Sequence, residues 1–365
     1  MRRVLLPAFV ALIAVSEAAS QTTADTTIIR VFETAAIVFD EALEDPTPRG
    51  EHVVLNKGRT LARTVQLPAT PTDQRDARRI VATVTVQPVL TEPGGRRPGD
   101  EWTRLGFLTV VTPNDGDPDG DPDEDPDDHN ATEVELMRFT TGFGQGAGYS
   151  QDVTALAPLL AGRRELRLTL TTYRNPAWEV SVRLEYSRDG VGYRRPTLAA
   201  PLFYEQALTA DDPLLSATIA IPAGLARPRV RLLSTGHSTD GGPENEFITC
   251  THVLRVDGHR IVSWRPWSEA GGGLRDVNPW AGRRTIDGRE VWSSDLDRSG
   301  WQPGLVVEPL LVPVPELTPG VHEITLEVLG IRPEGLDHAH GYWRISGVVL
   351  ADEPWPAAVA RPSDR

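Results

Sequence analysis

The sequence predicts an all-β protein built from two β-sandwich or jelly-roll domains. Its 365 residues exceed what one small core needs and suit two domains. Short apolar or alternating runs dominate, whereas the helical period of 3.6 residues is scarce. The chain also holds 31 prolines and 32 glycines, which interrupt the runs as turns between short strands do.

The apolar and alternating runs define the expected strands in chain order. In the first half they cover residues 28–32, 53–55, 80–89, 106–111, 166–172 and 180–186. In the second half they cover residues 215–221, 230–233, 252–256, 306–314, 322–329 and 343–350. One short helical turn is expected at 152–160.

Prolines mark the division between the domains. Pro196, Pro201 and Pro213 are spaced through residues 194–213, where neither a helix nor a central strand would run unbroken. We expect a first domain over 27–201, a linker over 202–212 and a second domain over 213–352. The proline-rich tail, 353–365, is expected to be loose.

The N-terminal segment 1–20 has the features of a secretory signal peptide. Met1-Arg2-Arg3 precedes an apolar run from Val4 to Val15, and small residues follow. An amphipathic first helix is the alternative. No later apolar run approaches the roughly 20 residues of a membrane span. No cysteine lies directly after the apolar run from Val4 to Val15, where a lipid would be attached. We therefore expect a secreted or periplasmic protein.

The net charge of −14 is concentrated in one segment. Residues 115–128 hold nine acidic side chains and no basic one. The rest of the chain has no basic patch, so we expect no nucleic-acid partner.

The acidic residues lie in an insertion, 113–130, between two expected strands. Its alternating carboxylates and glycines resemble the calcium loops of thrombospondin type 3 repeats, but the terminal Glu of an EF-hand is missing. A solvated loop held open by its own charge is the favoured alternative. We expect weak calcium binding at most, and no other cofactor.

The second half contains a stretch unusually rich in tryptophan. Trp264, Trp267, Trp280 and Trp292 lie near the glycine run 271–273 and several arginines. Indole rings beside the planar guanidinium groups of arginine suit a polar ligand with apolar faces, such as a sugar. Packing of a long loop by its own tryptophans is the alternative.

Several short motifs resemble the peptide-N-glycosidase F family. They are Ser234–His237, Glu246–His252 and Asp297–Gly304, preceded by Asp100–Arg104 and by the run from Tyr149 to Tyr186. That family consists of bacterial amidases that cleave the bond between asparagine and the first N-acetylglucosamine of N-glycans. The resemblance implies two jelly-roll domains packed side by side and an N-linked glycan or glycoprotein as partner. The family also uses cystines around these loops, whereas Cys250 is the only cysteine here and is expected to be a small buried residue.

The resemblance also implies three catalytic acids, of which one is retained. The family motif Asp-Glu-Trp-Asp-Arg reads Asp100-Glu101-Trp102-Thr103-Arg104 here, so Thr103 occupies the position of the primary acid. A second family acid falls near Thr171. The third matches Glu246. A threonine hydroxyl has no useful basicity near neutral pH.

Other residues at the matching positions could still bind a glycan. Arg104 and Arg298 match arginines that the family places in the cleft between its domains, and Trp102 and Trp301 match its tryptophans. Ordinary core packing is the alternative for both tryptophans. Residues two apart on a strand share a face, so Glu101 would lie beside Thr103 as a substitute base.

The histidines give little support to a metal or catalytic role. His338-Ala339-His340 would place two imidazoles on one face of a strand, as in copper monooxygenases that share the family's fold. Those enzymes also use a methionine ligand, and Met137 lies in the other domain. A copper site is therefore not favoured. His237 and His252 are expected to form structural hydrogen bonds.

Three functions stay open from the sequence. The first is a glycan-directed protein whose amidase activity is lost or altered. The second is a working amidase with a rearranged set of acids, Glu246 and Glu101. The third is a structural or adhesion module without a ligand. Oligomeric state cannot be read from the sequence.

Overall fold

The computed structural model describes residues 20–23, 26–69, 78–112, 132–188, 196–237, 245–286, 288–332 and 341–354. These residues form five antiparallel sheets. Four of the sheets pair face to face into two β-sandwiches, and the fifth is a two-stranded hairpin. The predicted all-β class with two sandwich domains is confirmed.

The first sandwich consists of a five-stranded and a six-stranded sheet. The five-stranded sheet has the order β1-β2-β11-β6-β9, with β1 Ser20–Thr23, β2 Thr26–Ile37, β6 Arg79–Pro88, β9 Ala147–Asp152 and β11 Trp178–Ser187. The six-stranded sheet has the order β3-β4-β5-β10-β7-β8, with β3 Thr47–Arg49, β4 His52–Leu55, β5 Thr60–Leu67, β7 Leu105–Thr112, β8 Thr132–Thr140 and β10 Gly162–Leu170.

Alternating residues build the core of this sandwich. In β6 the buried positions are Ile80, Ala82, Val84 and Val86, with less buried residues between them. They meet Leu108 and Leu166 of the opposite sheet in one cluster. Each fully buried aliphatic side chain contributes about 1.5–3 kcal/mol.

The second sandwich consists of two four-stranded sheets. One has the order β12-β21-β14-β19 and the other the order β13-β20-β15-β16. The first contains β12 Pro196–Leu208, β14 Ala226–His237, β19 Leu310–Pro313 and β21 Tyr342–Asp352. The second contains β13 Leu214–Ile221, β15 Thr251–Val256, β16 His259–Trp264 and β20 Gly320–Leu329. The hairpin pairs β17 Arg283–Ile286 with β18 Arg289–Trp292.

Three strands at the junction of the sandwiches are buried on both faces. In β8, β14 and β21 the alternation of buried and exposed residues gives way to continuous burial. The Arg138 guanidinium of β8 donates to Thr235 Oγ1 at 2.9 Å and to the Arg344 carbonyl at 2.7 Å. Arg231 of β14 donates to the carbonyls of Glu135 and Leu136 at 3.0 and 2.8 Å.

Backbone and apolar contacts also cross the junction. The Val307 amide donates to the Arg138 carbonyl at 2.8 Å, and Thr140 exchanges hydrogen bonds with the segment 304–305. Ala199, Val348 and Leu350 of the second sandwich belong to the hydrophobic core of the first. The two sandwiches therefore share one continuous packed interior.

Most expected strands occur close to their predicted positions, with two differences. The run 306–314 forms a strand only at Leu310–Pro313, because Pro309 has no amide hydrogen for a ladder. Residues 202–208 of the expected linker lie in β12, which pairs with β21. The expected helical turn at 152–160 is a 3₁₀ helix, Thr154–Leu159.

Several sequence predictions concern residues outside the described ranges. They include almost all of the expected signal peptide, the acidic insertion with its calcium site, His338 and His340, and nearly all of the C-terminal tail. In the described part of the chain, no helix has the length and apolarity needed to cross a membrane. Within the same residues, no three His, Cys, Asp or Glu side chains cluster as a metal site would require.

Candidate active site between the two sandwiches

A buried carboxylate fixes the loop that leads into β7. Asp100 is 0% exposed and accepts two hydrogen bonds from Arg104, at 2.7 Å from Nε and 3.0 Å from Nη2. Thr172 Oγ1 donates to it at 2.6 Å and the Trp102 amide at 3.2 Å. Such a charge-assisted, bidentate pair is strong and directional. Asp100 therefore determines how the segment 101–104 is presented.

Two exposed aromatic residues lie at this end of the first sandwich, one of them beside two arginines. Trp102 is 49% and Tyr173 61% exposed. The Arg104 guanidinium lies 5.5 Å from the centre of the Tyr173 ring, and Arg59 lies 5.6 Å from it. Rings exposed to this degree next to an arginine can stack on the apolar face of a sugar.

Thr103 and Thr171 lie at the same end of the first sandwich. Thr103 is half-buried in the loop before β7. Thr171 follows β10, and its amide and hydroxyl donate to the Leu105 carbonyl at 3.0 and 3.3 Å. Neither position carries a carboxylate.

Glu101 does not have the strand geometry that we expected. Residues 101–104 form a loop, since β7 begins only at Leu105, so the rule that residues two apart share a face does not apply. The Glu101 side chain is 33% exposed and makes a long ion pair of 3.4 Å with Arg97. The argument that placed Glu101 beside Thr103 is therefore wrong.

Glu246 and Arg298 form an ion pair in the second sandwich. Glu246 lies in the 3₁₀ turn Asn245–Phe247, and its Oε1 accepts from Arg298 Nε at 2.8 Å. The Glu246 side chain is 19% exposed, whereas that of Arg298 is 0% exposed. The Glu246 carboxylate is thus partly exposed, and the buried Arg298 guanidinium donates a hydrogen bond to it from the interior.

Contrary to our expectation, the guanidinium of Arg298 is not accessible for hydrogen bonds to a glycan. Its Nη1 donates to the Leu296 carbonyl at 2.9 Å and its Nη2 to the Ser293 carbonyl at 2.6 Å. Burial lowers the pKa of Arg298, and the neighbouring Glu246 opposes that shift. Arg298 therefore positions Glu246 rather than contacting a ligand directly.

Trp301 is also more buried than a sugar-stacking residue needs to be. It is 5% exposed, its indole nitrogen donates to the Gly236 carbonyl at 2.8 Å, and its ring stacks on His237 at 5.6 Å. The core-packing alternative describes these contacts well.

Tyr342 lies beside His237, and the sequence analysis did not single it out. It pairs with His237 across β21 and β14, and their rings lie 5.3 Å apart. Burial raises the pKa of Tyr342, and the charge of Arg344 acts in the opposite direction.

Phe247 places a further arginine at the site. The guanidiniums of Arg284 and Arg298 lie 5.3 and 5.1 Å from the centre of its ring. Arg284 belongs to the hairpin β17–β18. The sequence offered only a general signal for this residue, the abundance of arginine around the tryptophans.

The tryptophan-rich stretch divides into separate structural roles. Trp292 lies between Arg275 and Arg283, whose guanidiniums are 3.6 and 4.6 Å from its ring. Trp280 is 41% exposed. Trp264 and Trp267 line a cavity of about 320 Å³ that Thr103, Thr171, Glu246 and Arg298 do not line.

The histidines and the cysteine have structural roles, as expected. Burial lowers the pKa of His237 to about 3 and that of His252 to about 4, so both are neutral at physiological pH. Burial also raises the pKa of the Cys250 thiol to about 11, which leaves it protonated and unreactive.

Comparison with known proteins identifies the fold. Residues 204–350 match the family model described as "Peptide-N-glycosidase F, C terminal". The chain is similar to the structure of PNGF-II, with a TM-score of 0.74 and 21% identity over 90% of this chain. It spans 66% of the length of that PNGF-II chain.

Two structures of peptide-N-glycosidase F match over nearly their full length. One is described as recombinant peptide:N-glycanase F, with a TM-score of 0.66 and 17% identity over 92% of this chain and 97% of that one. The other is PNGase F, a glycosylasparaginase from Flavobacterium meningosepticum, with a TM-score of 0.62 and 18% identity over 92% and 98%. No curated protein was found to match in sequence.

The resemblance to peptide-N-glycosidase F is confirmed. It covers both sandwiches in structure and the second sandwich in sequence.

Proposed function

We propose that this peptide-N-glycosidase F-like protein binds N-linked glycans of glycoproteins in the cleft between its sandwiches, with amide hydrolysis lost or altered. The observation that carries the proposal is the ion pair of 2.8 Å between Arg298 and the partly exposed Glu246. It preserves one carboxylate at a site whose other acid positions are Thr103 and Thr171.

The aromatic surface of the first sandwich supports glycan binding. Trp102 and Tyr173 are both exposed, and Arg104 is held beside Tyr173 by the buried Asp100. A pyranose would stack on the rings and accept hydrogen bonds from Arg104. Because Asp100 and Thr172 fix this arrangement before a ligand arrives, little ordering entropy opposes binding.

The missing acids support a loss or change of the chemistry. Hydrolysis of a glycosyl-asparagine amide needs a base that activates water and groups that stabilise the developing charge. Glu246 alone supplies one carboxylate, and its nearest cation, Arg298, is occupied by backbone carbonyls. A threonine at position 103 cannot take up the proton in place of a carboxylate.

Export belongs to the same proposal. A signal peptide at 1–20 would deliver the protein to the periplasm or the medium of a bacterial cell, where N-glycosylated proteins of other organisms are accessible.

The test uses an asparagine-linked glycopeptide as the probe, with calorimetry for binding and mass spectrometry for release of free glycan. We expect binding without release, and a loss of affinity of about tenfold or more in Trp102→Ala. Val321→Ala, which alters an exposed side chain of β20, serves as the control and should bind normally.

Other outcomes would favour the alternatives. Release of glycan by the unaltered protein, abolished in Glu246→Gln, would establish a working amidase and overturn the proposed loss of chemistry. Absence of both binding and release would leave a structural or adhesion module.

Restoring the primary acid gives a second test. Thr103→Asp returns a carboxylate to the position that the resemblance assigns to the catalytic base. We expect release of glycan to rise above that of the unaltered protein, because a positioned general base typically contributes about 10²–10⁴-fold. Thr103→Asn, of similar size but not basic, should give no such gain. An inactive Thr103→Asp protein that still binds glycopeptide would show that the lost acid is not the limiting group.

A further inference from the structure

A cavity of about 320 Å³ opens in the second sandwich, outside the proposed cleft. It lies between the segment 264–268 and the segment 300–310, beside Leu232 and Ser234 of β14. Its volume falls at the lower end of the range of about 300–1,000 Å³ for small-molecule sites. It is therefore large enough for one small ligand.

The lining combines indole rings with apolar side chains. Trp264, Trp267 and Trp301 all contribute to the wall. Trp264 is held in place by His252, whose ring lies 5.0 Å from it. Trp264 and Trp267 are half-buried, whereas Trp301 is 5% exposed. The first two therefore provide flat apolar surfaces that suit the C–H face of a ring-shaped ligand.

Gln302 joins the two segments that form the wall. It is 2% exposed, and its Nε2 donates to the Ser268 carbonyl at 2.8 Å. Because the whole side chain is enclosed, Gln302 holds the segments 264–268 and 300–310 together rather than contacting a ligand.

The hydroxyl of Ser234 offers an acceptor to the cavity, because of the tautomer of His252. His252 Nδ1 lies 3.3 Å from the Cys250 carbonyl, which can only accept, so Nδ1 carries the hydrogen. His252 Nε2 is then an acceptor, and Ser234 Oγ donates to it at 2.8 Å. The lone pairs of Ser234 Oγ stay available to a further donor.

The charge of the cavity excludes anionic ligands. Glu308 is exposed and is the only charged residue in the lining, which contains no Lys, Arg or His. A neutral ligand that brings hydrogen-bond donors fits the acceptors Ser234 and Glu308. A quaternary ammonium offers no such donors to these two residues.

We infer that this cavity binds one neutral pyranose unit, stacked on its indoles and donating hydroxyl hydrogens to Ser234 and Glu308. The inference does not rest on the proposed cleft, with which the cavity shares only Trp301. It would give the protein a second saccharide contact on the second sandwich.

The experiment titrates the full chain with glucose, galactose, mannose and N-acetylglucosamine, followed by saturation-transfer NMR and calorimetry. We expect at least one of them to bind, and Trp267→Ala to weaken that binding by about tenfold or more. Glu308→Ala changes an exposed side chain and keeps the fold, and it should weaken binding by about three- to tenfold. Val321→Ala should leave binding unchanged.

The variants separate this inference from the proposed function. Loss of monosaccharide binding in Trp102→Ala, with Trp267→Ala and Glu308→Ala unaffected, would place the sugar in the cleft and overturn the inference alone. Absence of monosaccharide binding would also overturn it, as would binding of choline in place of every sugar. Absence of monosaccharide binding, or binding of choline alone, would not contradict glycopeptide binding at Trp102.

Discussion

Asp100 acts through the contacts that it makes inside the protein. Its carboxylate holds Arg104, the Thr172 hydroxyl and the Trp102 amide together at full burial. Asp100→Asn removes the charge opposite Arg104 and one acceptor. Because it breaks a buried ion pair on one side only, we expect the free energy of unfolding to fall by about 3–5 kcal/mol, measured by urea denaturation.

The adjacent residue provides the control for this change. Glu101→Gln alters a partly exposed carboxylate whose ion pair with Arg97 is 3.4 Å long. It should cost less than about 1 kcal/mol. Equal effects of Asp100→Asn and Glu101→Gln would contradict the anchoring role of Asp100.

His237 makes stability depend on pH in a defined direction. Burial, helped by the charges of Arg138 and Arg344, lowers its pKa to about 3, against about 6.5 in the unfolded chain. As pH falls below 6.5 the unfolded state binds the proton and the folded state does not, so stability decreases. This histidine contributes up to about 1.4 kcal/mol per pH unit until about pH 3.

The substitution His237→Gln should flatten this decline. Urea midpoints measured from pH 7 to pH 4 should fall less steeply than in the unaltered protein, whereas His259→Gln, at an exposed position, should keep the original slope. Identical slopes in both variants would show that His237 is not the group responsible.

Residue identities alone revealed only part of the site. The motifs predicted Glu246 and Arg104 as site residues, because a short match in sequence fixes which side chains are present. Those motifs could not tell that Arg298 would be fully enclosed, or that Thr103 would lie in a loop. Tyr342 gave no signal, since its place beside His237 depends on how two distant strands pair.

Among the structural elements, the end of β14 depends on a close backbone approach. A Cβ atom on Gly236 would lie 2.4 Å from the Asn245 carbonyl oxygen and 2.7 Å from Ser299 Cβ. Gly236→Ala would therefore displace the turn that carries Glu246. We expect a loss of at least about 1–3 kcal/mol in the free energy of unfolding, with reduced glycopeptide binding.

Gly148 of β9 is a matched position without this constraint. A Cβ there would meet nothing within 4 Å. Gly148→Ala should be neutral or slightly stabilising, because alanine has less conformational entropy to lose. A neutral Gly236→Ala would mean that the turn 245–247 tolerates displacement.

The strands predicted from sequence include alternating ones and ones buried on both faces. β6 and β11 each have one face in the core, so their patterns are regular, whereas β14 and β21 are buried on both faces. β8 was missed because Glu135 and Arg138 interrupt its apolar residues, although both side chains are buried. In the sequence, the two charged residues of a buried ion pair cannot be distinguished from charged residues on an exposed strand.

At the scale of the whole molecule, a buried ionic network joins the sandwiches. The Glu135 carboxylate accepts from Arg138 at 2.7 and 2.6 Å, and both side chains are 0% exposed. Arg138→Leu would leave Glu135 without its main partner and remove the bonds to Thr235 and Arg344. We expect a loss of about 3–5 kcal/mol.

Calorimetry checks this prediction and the unity of the fold together. The unaltered protein should unfold in one transition, and Arg138→Leu should lower its midpoint or split it in two. Arg97→Gln, at a side chain 68% exposed, should shift the midpoint little. Two separate transitions in the unaltered protein would contradict joint unfolding.

Ala199, Val348 and Leu350 complete the interior of the neighbouring sandwich. The segment 204–350 that the family model matches is therefore not expected to fold as an independent domain. A polypeptide reduced to residues 196–354 would present these apolar side chains to water, together with Arg231 and Arg344. Such a fragment should aggregate on its own, and it should regain solubility when the first sandwich is supplied as a separate chain.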